Sequence, residues 1–176
     1  MRPSGEMTLN CYADADFASL WGQEYDQDLV CVSSRTGFVL EFAGCPLMWT
    51  SKLQTEIALS TTEAEYIALS QSMREVIPTW CMLQEVLQHF GVEFSGSFAY
   101  STVFEDNSGA LVLATAPKMN SRTKHIAVKY HHFRDHIQKG TIKIVKVESD
   151  GQKADIFTNR LGPVKFPKIR KLLMGW

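Results

Sequence analysis

The spacing of apolar residues changes period along the chain, and each change marks an element. Residues 9–13 (Leu-Asn-Cys-Tyr-Ala) are rich in strand formers and run straight into Asp14. Residues 19–35 show no clean periodicity and read as a loop. Two apolar runs, 37–43 and 46–51, meet at Gly44-Cys45 and predict a hairpin. At residue 60 the pattern turns helical. Ser60-Thr-Thr-Glu63 is a capping box, in which Ser60 accepts from the Glu63 amide while Glu63 reaches back to the amide of Ser60. Tyr66, Leu69, Met73, Val76, Ile77 and Trp80 then recur at helical spacing. Pro78 predicts a kink or a split, because it lacks an amide donor and crowds the preceding turn. The second segment runs to Phe90-Gly91, with Gly91 as the C-cap.

The remainder alternates. A strand is predicted at 98–105, a short helix at 107–114, a helix at 123–139 ending on Gly140, and a strand at 141–147. A short helix at 152–158 and a basic helix at 164–173 complete the order. A hairpin-bearing set of three strands, followed by strands separated by helices, predicts an α/β fold. Its expected form is a five-stranded mixed sheet, the first three strands antiparallel, flanked by helices.

Composition narrows this only slightly. A chain of 176 residues suits one domain, expected at 8–176 behind a tail at 1–7. No apolar run approaches the ~20 residues of a membrane helix, and the first seven residues lack the apolar core of a leader. Cys11, Cys31, Cys45 and Cys81 form no C-x-x-C pair, which argues against a zinc ribbon and a thioredoxin-like motif. Buried, reduced thiols in an intracellular protein are the expectation. Charge changes the picture more. Residues 1–116 hold 4 Lys/Arg against 15 Asp/Glu, and residues 117–176 hold 14 against 4, matching the totals of 18 and 19. A basic half suits a polyanion, and an acidic half suits cations.

Four carboxylates stand in places that chemistry can use. Asp14 follows an apolar strand, and Asp16 points the same way if the strand continues; a turn at 14–16 fits equally. Glu63 belongs to the capping box, whereas Glu65 precedes Leu69 by four residues and so lies on the core-facing stripe. A carboxylate there needs a cation or donors, unless it sits at the stripe's exposed edge. Asp106 ends a strand before Asn107-Ser108-Gly109, either as an N-cap or at a ligand-binding strand end. Asp155 begins a helix, where it also complements the helix dipole. Brought together, such carboxylates would repel unless divalent ions joined them, and Mg2+ favours oxygen ligands of this kind.

At these residues the sequence resembles the ribonuclease H domain of copia-type (Pseudoviridae) retrotransposon Pol polyproteins. The matching segments are Tyr12-Ala-Asp-Ala-Asp-Phe-Ala18, Ser34-Arg-Thr-Gly-Phe38, Trp49-Thr-Ser-Lys-Leu-Gln54 and Ala58-Leu-Ser-Thr-Thr-Glu-Ala-Glu-Tyr-Ile-Ala-Leu69. Glu105-Asp-Asn-Ser-Gly-Ala110, Ser121-Arg-Thr-Lys-His-Ile126 and Ala154-Asp-Ile-Phe-Thr158 follow in the family's order. The resemblance implies a ribonuclease H-like fold and an endonuclease that cuts the RNA strand of RNA/DNA hybrids with two Mg2+ ions, for which Mn2+ substitutes. By motif it assigns Asp14, Glu65, Asp106 and Asp155 as catalytic metal ligands, with Asp16, Asn107 and Ser108 supporting them. It further implies an attached or associated reverse transcriptase, no membrane, a monomer when the domain is isolated, and an intracellular setting, in a cytoplasmic virus-like particle or the nucleus. A degenerate module that binds hybrid without cutting is the alternative. An integrase core does not fit, since its acidic order is Asp, Asp, Glu. The loop 148–153 lacks the His that many cellular ribonucleases H carry, as copia-type members generally do.

The basic half supplies candidate substrate contacts at Arg122, Lys124, His125 and Lys129, within a stretch that opens at Lys118 and ends on Lys165, Lys168, Arg170 and Lys171. His131, His132 and His136 share one predicted helix. His132 and His136 have a zinc-binding spacing, but without the H-E-x-x-H pattern a packing role is expected.

Overall fold

A computed structural model describes residues 7–18, 29–91, 100–116 and 132–176. Five strands form one sheet in the order β3-β2-β1-β4-β5. They are β1 (Leu9–Asp16), β2 (Arg35–Phe42), β3 (Cys45–Leu53), β4 (Ser101–Glu105) and β5 (Ile142–Lys146). The first three pair antiparallel, while β4 joins β1 in parallel and β5 joins β4 in parallel. The helices are α1 (Leu29–Val32), α2 (Thr61–His89), α3 (Ser108–Thr115), α4 (Arg134–Gln138) and α5 (Lys165–Met174). The mixed sheet and its antiparallel half agree with the sequence reading.

Several local expectations are corrected. β1 extends through Asp16, so residues 14–16 are strand and not a turn; each is paired across to β2, down to Asp16 opposite Arg35. β2 begins at Arg35, earlier than its apolar run, and a helical turn at α1 interrupts the expected loop. The sheet can extend through polar positions because neighbouring strands supply the hydrogen bonds whatever the side chain. Helix α2 is continuous over 29 residues with Pro78 inside it, and no split occurs. Pro78 and Arg74, whose carbonyl loses its partner, both lie on the exposed side, where water can satisfy that carbonyl. The cap of α2 keeps the Glu63 amide on Ser60 Oγ at 3.2 Å, but the Glu63 carboxylate takes the amide of Leu59 at 2.9 Å in place of Ser60. The expected helix at 152–158 is instead a 3₁₀ turn, Lys153–Phe157. Of the helix expected at 123–139, residues 123–131 lie outside the described residues, and α4 covers part of the rest. Cys11 and Cys31 are buried, reduced thiols as expected, but Cys81 is exposed on α2.

The two faces of the sheet are covered unequally. Helices α2, α3 and α4 lie over one face, where Leu9, Cys11, Phe38, Leu40 and Val103 from the sheet meet Tyr66, Leu69, Met73 and Val76 from α2. The other face carries the 3₁₀ turn and α5, joined to Val39 by Ile169 and Leu173. Polar anchors supplement that small cluster: Gln152 Nε2 donates to the Ala13 carbonyl at 2.8 Å, and Lys153 bridges both oxygens of buried Glu41 at 2.7 Å. No described helix is long and apolar enough to cross a membrane.

Candidate metal centre

The C-terminal ends of β1 and β4 lie side by side because the two strands are parallel, with Tyr12 opposite Phe104. Asp14 and Asp106 therefore leave the sheet at the same edge. Glu65 arrives from the first turns of α2, which is tied to the sheet by Gln54: its Nε2 donates to Thr36 Oγ1 at 3.1 Å and to the Ala64 carbonyl at 2.9 Å. Glu65 Oε2 in turn accepts the Ala15 amide at 2.7 Å. As a result Asp14, Glu65 and Asp106 each offer a carboxylate oxygen, and these oxygens lie within 4.8 Å of one another.

Two close approaches make this geometry possible. Gly37 pairs with Asp14 across β1 and β2. A Cβ at Gly37 would meet Thr158 Cγ2 at 2.7 Å and Phe157 Cβ at 2.8 Å, so only glycine lets the Asp155-bearing turn press against the sheet here. Gly109 plays the same part between α3 and α2, where a Cβ would stand 2.6 Å from Thr62 Oγ1. Asp106 is not the N-cap of α3. Asn107 Oδ1 accepts the Ala110 amide at 3.0 Å and fills that role, which leaves the Asp106 carboxylate for other partners.

Each of the remaining expected residues has a definite place. Asp155 is buried and its charge is felt at Asp14, but its Oδ2 is paired with Lys165 and it stands outside the close trio. Asp16 is buried and accepts the Arg35 amide. Ser108 opens α3 and is exposed. The hydroxyl that reaches Asp106 is that of Ser149, donating to Oδ2 at 2.9 Å. Arg122, Lys124, His125, Lys129 and His131 lie outside the described residues. His132 stands edge-on to Phe133, and His136 Nδ1 is 3.2 Å from Thr141 Oγ1.

Sequence reasoning missed five contributors, Ser149 among them. Thr158 Oγ1 donates to Asp14 Oδ2, with Asn159 Nδ2 at 3.4 Å from the same oxygen. Lys165 reads in the sequence only as part of the basic stretch, and the structure pairs it with Asp155. Glu105 is fully buried; its Oε1 accepts the Asn107 amide at 3.0 Å and its Oε2 has no hydrogen-bond partner among the described residues. The alternating burial of β4 could have pointed to Glu105, since it shares a face with Ser101 and Val103. The Thr158 and Ser149 contacts join residues more than 40 positions apart and leave no local signal.

The charges are under strain. Burial, and then the neighbouring charges of Asp14, Glu105 and Asp106, push the Glu65 carboxyl up to about 11, against the pull of the Ala15 amide. Burial raises Asp14 to about 7, with the Thr158 hydroxyl opposing and Asp155 and Asp106 adding to the rise. Burial likewise holds Glu105 well above, and Asp155 above, the ordinary carboxylate range, with Lys165 opposing at Asp155. A cluster of hard oxygen donors, in which buried Asp14 and Glu65 are held above the ordinary carboxylate range, fits a divalent cation such as Mg2+, which would supply the missing positive charge.

No family model matches the chain. Over 165 residues, 94% of the chain, it is 34% identical to the retrovirus-related Pol polyprotein from transposon TNT 1-94 of Nicotiana tabacum. Over 171 residues, 97% of the chain, it is 32% identical to that from transposon RE2 of Arabidopsis thaliana. The chain spans 11% of the length of each of these curated relatives. Among solved structures it is similar to LC11-RNase H1, isolated from compost by a metagenomic approach. The TM-score is 0.53 at 16% identity, covering 87% of this chain and 94% of the other. The chain is thus homologous to a segment of plant copia-type retrovirus-related Pol polyproteins, and its fold is ribonuclease H-like.

Proposed function

We propose that this domain, 8–176 with a short tail at 1–7, is a divalent-metal-dependent endonuclease that hydrolyses the RNA strand of RNA/DNA hybrids, leaving 3′-hydroxyl and 5′-phosphate ends. The observation that carries this reading is the convergence of Asp14, Glu65 and Asp106, from three separate elements, on one point at the sheet edge. Asp14, Glu65, Asp106 and Asp155 would hold two Mg2+ or Mn2+ ions. When bound, such ions offset charge on the scissile phosphate and ease ionisation of the attacking water. The chain's own residues do the positioning. The Ala15 amide orients Glu65, Ser149 orients Asp106, and Thr158 with Asn159 orients Asp14. A groove of about 380 Å3 beside Asp16 is lined by Arg35, Ser51, Asn159 and Arg160 and can take up backbone phosphate. Arg122, Lys124, His125 and Lys129 extend the phosphate-binding surface in this reading, and 2′-hydroxyls distinguish the RNA strand.

The relatives' names support a Pol polyprotein context, in which an attached reverse transcriptase would supply the hybrid, in a cytoplasmic particle or the nucleus. The test is cleavage of a labelled hybrid in Mg2+ and in Mn2+. Asp106→Asn should reduce the rate by more than about 100-fold, beyond what loss of an outer partner of a metal ligand typically costs. Undiminished cutting by that variant would sink the site. Hybrid binding by the parent without cutting in either metal would identify a binding module instead.

A further inference from the structure

Asp155 is the one expected ligand outside the close trio, and it is paired with a neighbouring lysine. Lys165 Nζ is paired with Asp155 Oδ2. The two sides of this pair differ in freedom. Asp155 is held in the 3₁₀ turn with its side chain 7% exposed, whereas Lys165 is the first residue of α5 and its side chain is 33% exposed. Ile169 and Leu173 anchor α5 to the sheet, but the lysine head hangs on a flexible four-carbon stem. It can swing into water while the carboxylate stays. Among the described residues, Lys165 is the one cation paired with any of Asp14, Glu65, Asp106 and Asp155, and its charge is also felt at Asp14.

Lys165 is therefore placed as the counter-ion that the four carboxylates otherwise lack among the described residues. An ammonium and a divalent ion cannot share one buried carboxylate oxygen without strong repulsion at low dielectric. Resting on the metal site proposed above, we propose that Lys165 is an internal competitor for the Asp155 carboxylate. Asp14, Glu65 and Asp106 are open to a first divalent ion, and Asp155 becomes available to a second only when the lysine withdraws. Loading is then stepwise, and by linkage a second ion loosens the lysine as much as the lysine weakens the ion.

Stepwise Mn2+ binding tests this, measured by calorimetry and by the electron paramagnetic resonance signal of free Mn2+ at one pH. The parent 176-residue chain should show a tighter and a weaker step. K165M should tighten the second step by roughly tenfold, within the range of typical site couplings, and leave the first unchanged. K165R, which keeps the charge, should bind like the parent and guards against a folding defect, as does far-UV circular dichroism of K165M. Adding Asp155→Asn to K165M should abolish the gain. An unchanged second step in K165M overturns the proposal. So does loss of that step, which would make Lys165 a support for Asp155 and not its competitor. If none of these chains binds Mn2+, the metal site itself fails along with the competition.

Discussion

The two faces of the sheet are built in opposite ways. On the α2 face, side chains from β1, β2, β4 and α2 form a continuous apolar core with Tyr66, Leu69 and Met73 fully buried. On the other face three buried apolar residues, Val39, Ile169 and Leu173, suffice, and polar contacts from Gln152 and Lys153 hold the rest. Burial of apolar area stabilises without regard to direction, while hydrogen bonds and ion pairs fix orientation and contribute less net energy. The thick face therefore carries stability. The thin face presents Asp155, Thr158 and Lys165 to the carboxylates at a fixed angle, with less energy opposing their adjustment.

That contrast is open to attack at several points, taken from the largest expected effect downward. Leu69→Ala removes a fully buried side chain from the thick core and should cost about 3–4 kcal/mol in urea unfolding. Ile169→Ala, made in a small cluster near the surface that can close around the gap, should cost about 2 kcal/mol. Equal losses would show that the two faces contribute alike. Gly37→Ala comes next. Its methyl meets Thr158 and Phe157 below 3 Å, so the turn must move, at a cost of about 1–3 kcal/mol. The displaced turn should weaken Mn2+ binding and hybrid cleavage more than Ile169→Ala does. A Gly37→Ala protein with full cleavage would mean that the turn's position against the sheet does not matter to the site.

The smallest effect is in pH. Asp14 has a folded value near 7, above that of an unfolded aspartate, so the folded chain binds more protons between roughly pH 4 and 7. Its stabilising contribution is complete below about pH 4 and is lost progressively as pH rises from there through 7. In chelator, stability should fall between pH 6 and 8 by about 1 kcal/mol from Asp14 alone, and Glu65, raised further, acts in the same direction. Mg2+ should flatten or reverse the slope, because it replaces the protons. Thermal melts across that range, with and without Mg2+, measure it; a rise in chelator would contradict the raised carboxyls.

Much of the fold was legible in the sequence because its signals are local. The capping residues at Ser60, the helical stripe through Leu69 and Met73, and the hairpin at Gly44 are each written within a few residues. Periodicity alone separated Glu65 from Glu63, and the structure puts Glu65 in the cluster and Glu63 on the Leu59 amide. Where local preference misled, the competing interaction came from elsewhere. Asp14–Asp16 reads as a turn in isolation, but β2 pairs with it residue by residue. Pro78 reads as a break, but a helix packed along one side can tolerate one lost bond on its exposed side. Asp106 reads as a cap until Asn107 takes that bond.

The sequence by itself determined which residues are apolar, where the helices begin, and which acidic motifs occur in which order. Only the tertiary structure decided that Asp14, Glu65 and Asp106 converge, that Glu105 is buried behind them, and that Lys165 rather than a distant surface partner holds Asp155. The division has a physical cause. Backbone propensity and side-chain period act over one or two turns of chain, whereas a charge cluster depends on distances between strands and helices that are set by packing, including two glycines whose missing methyls let those elements close.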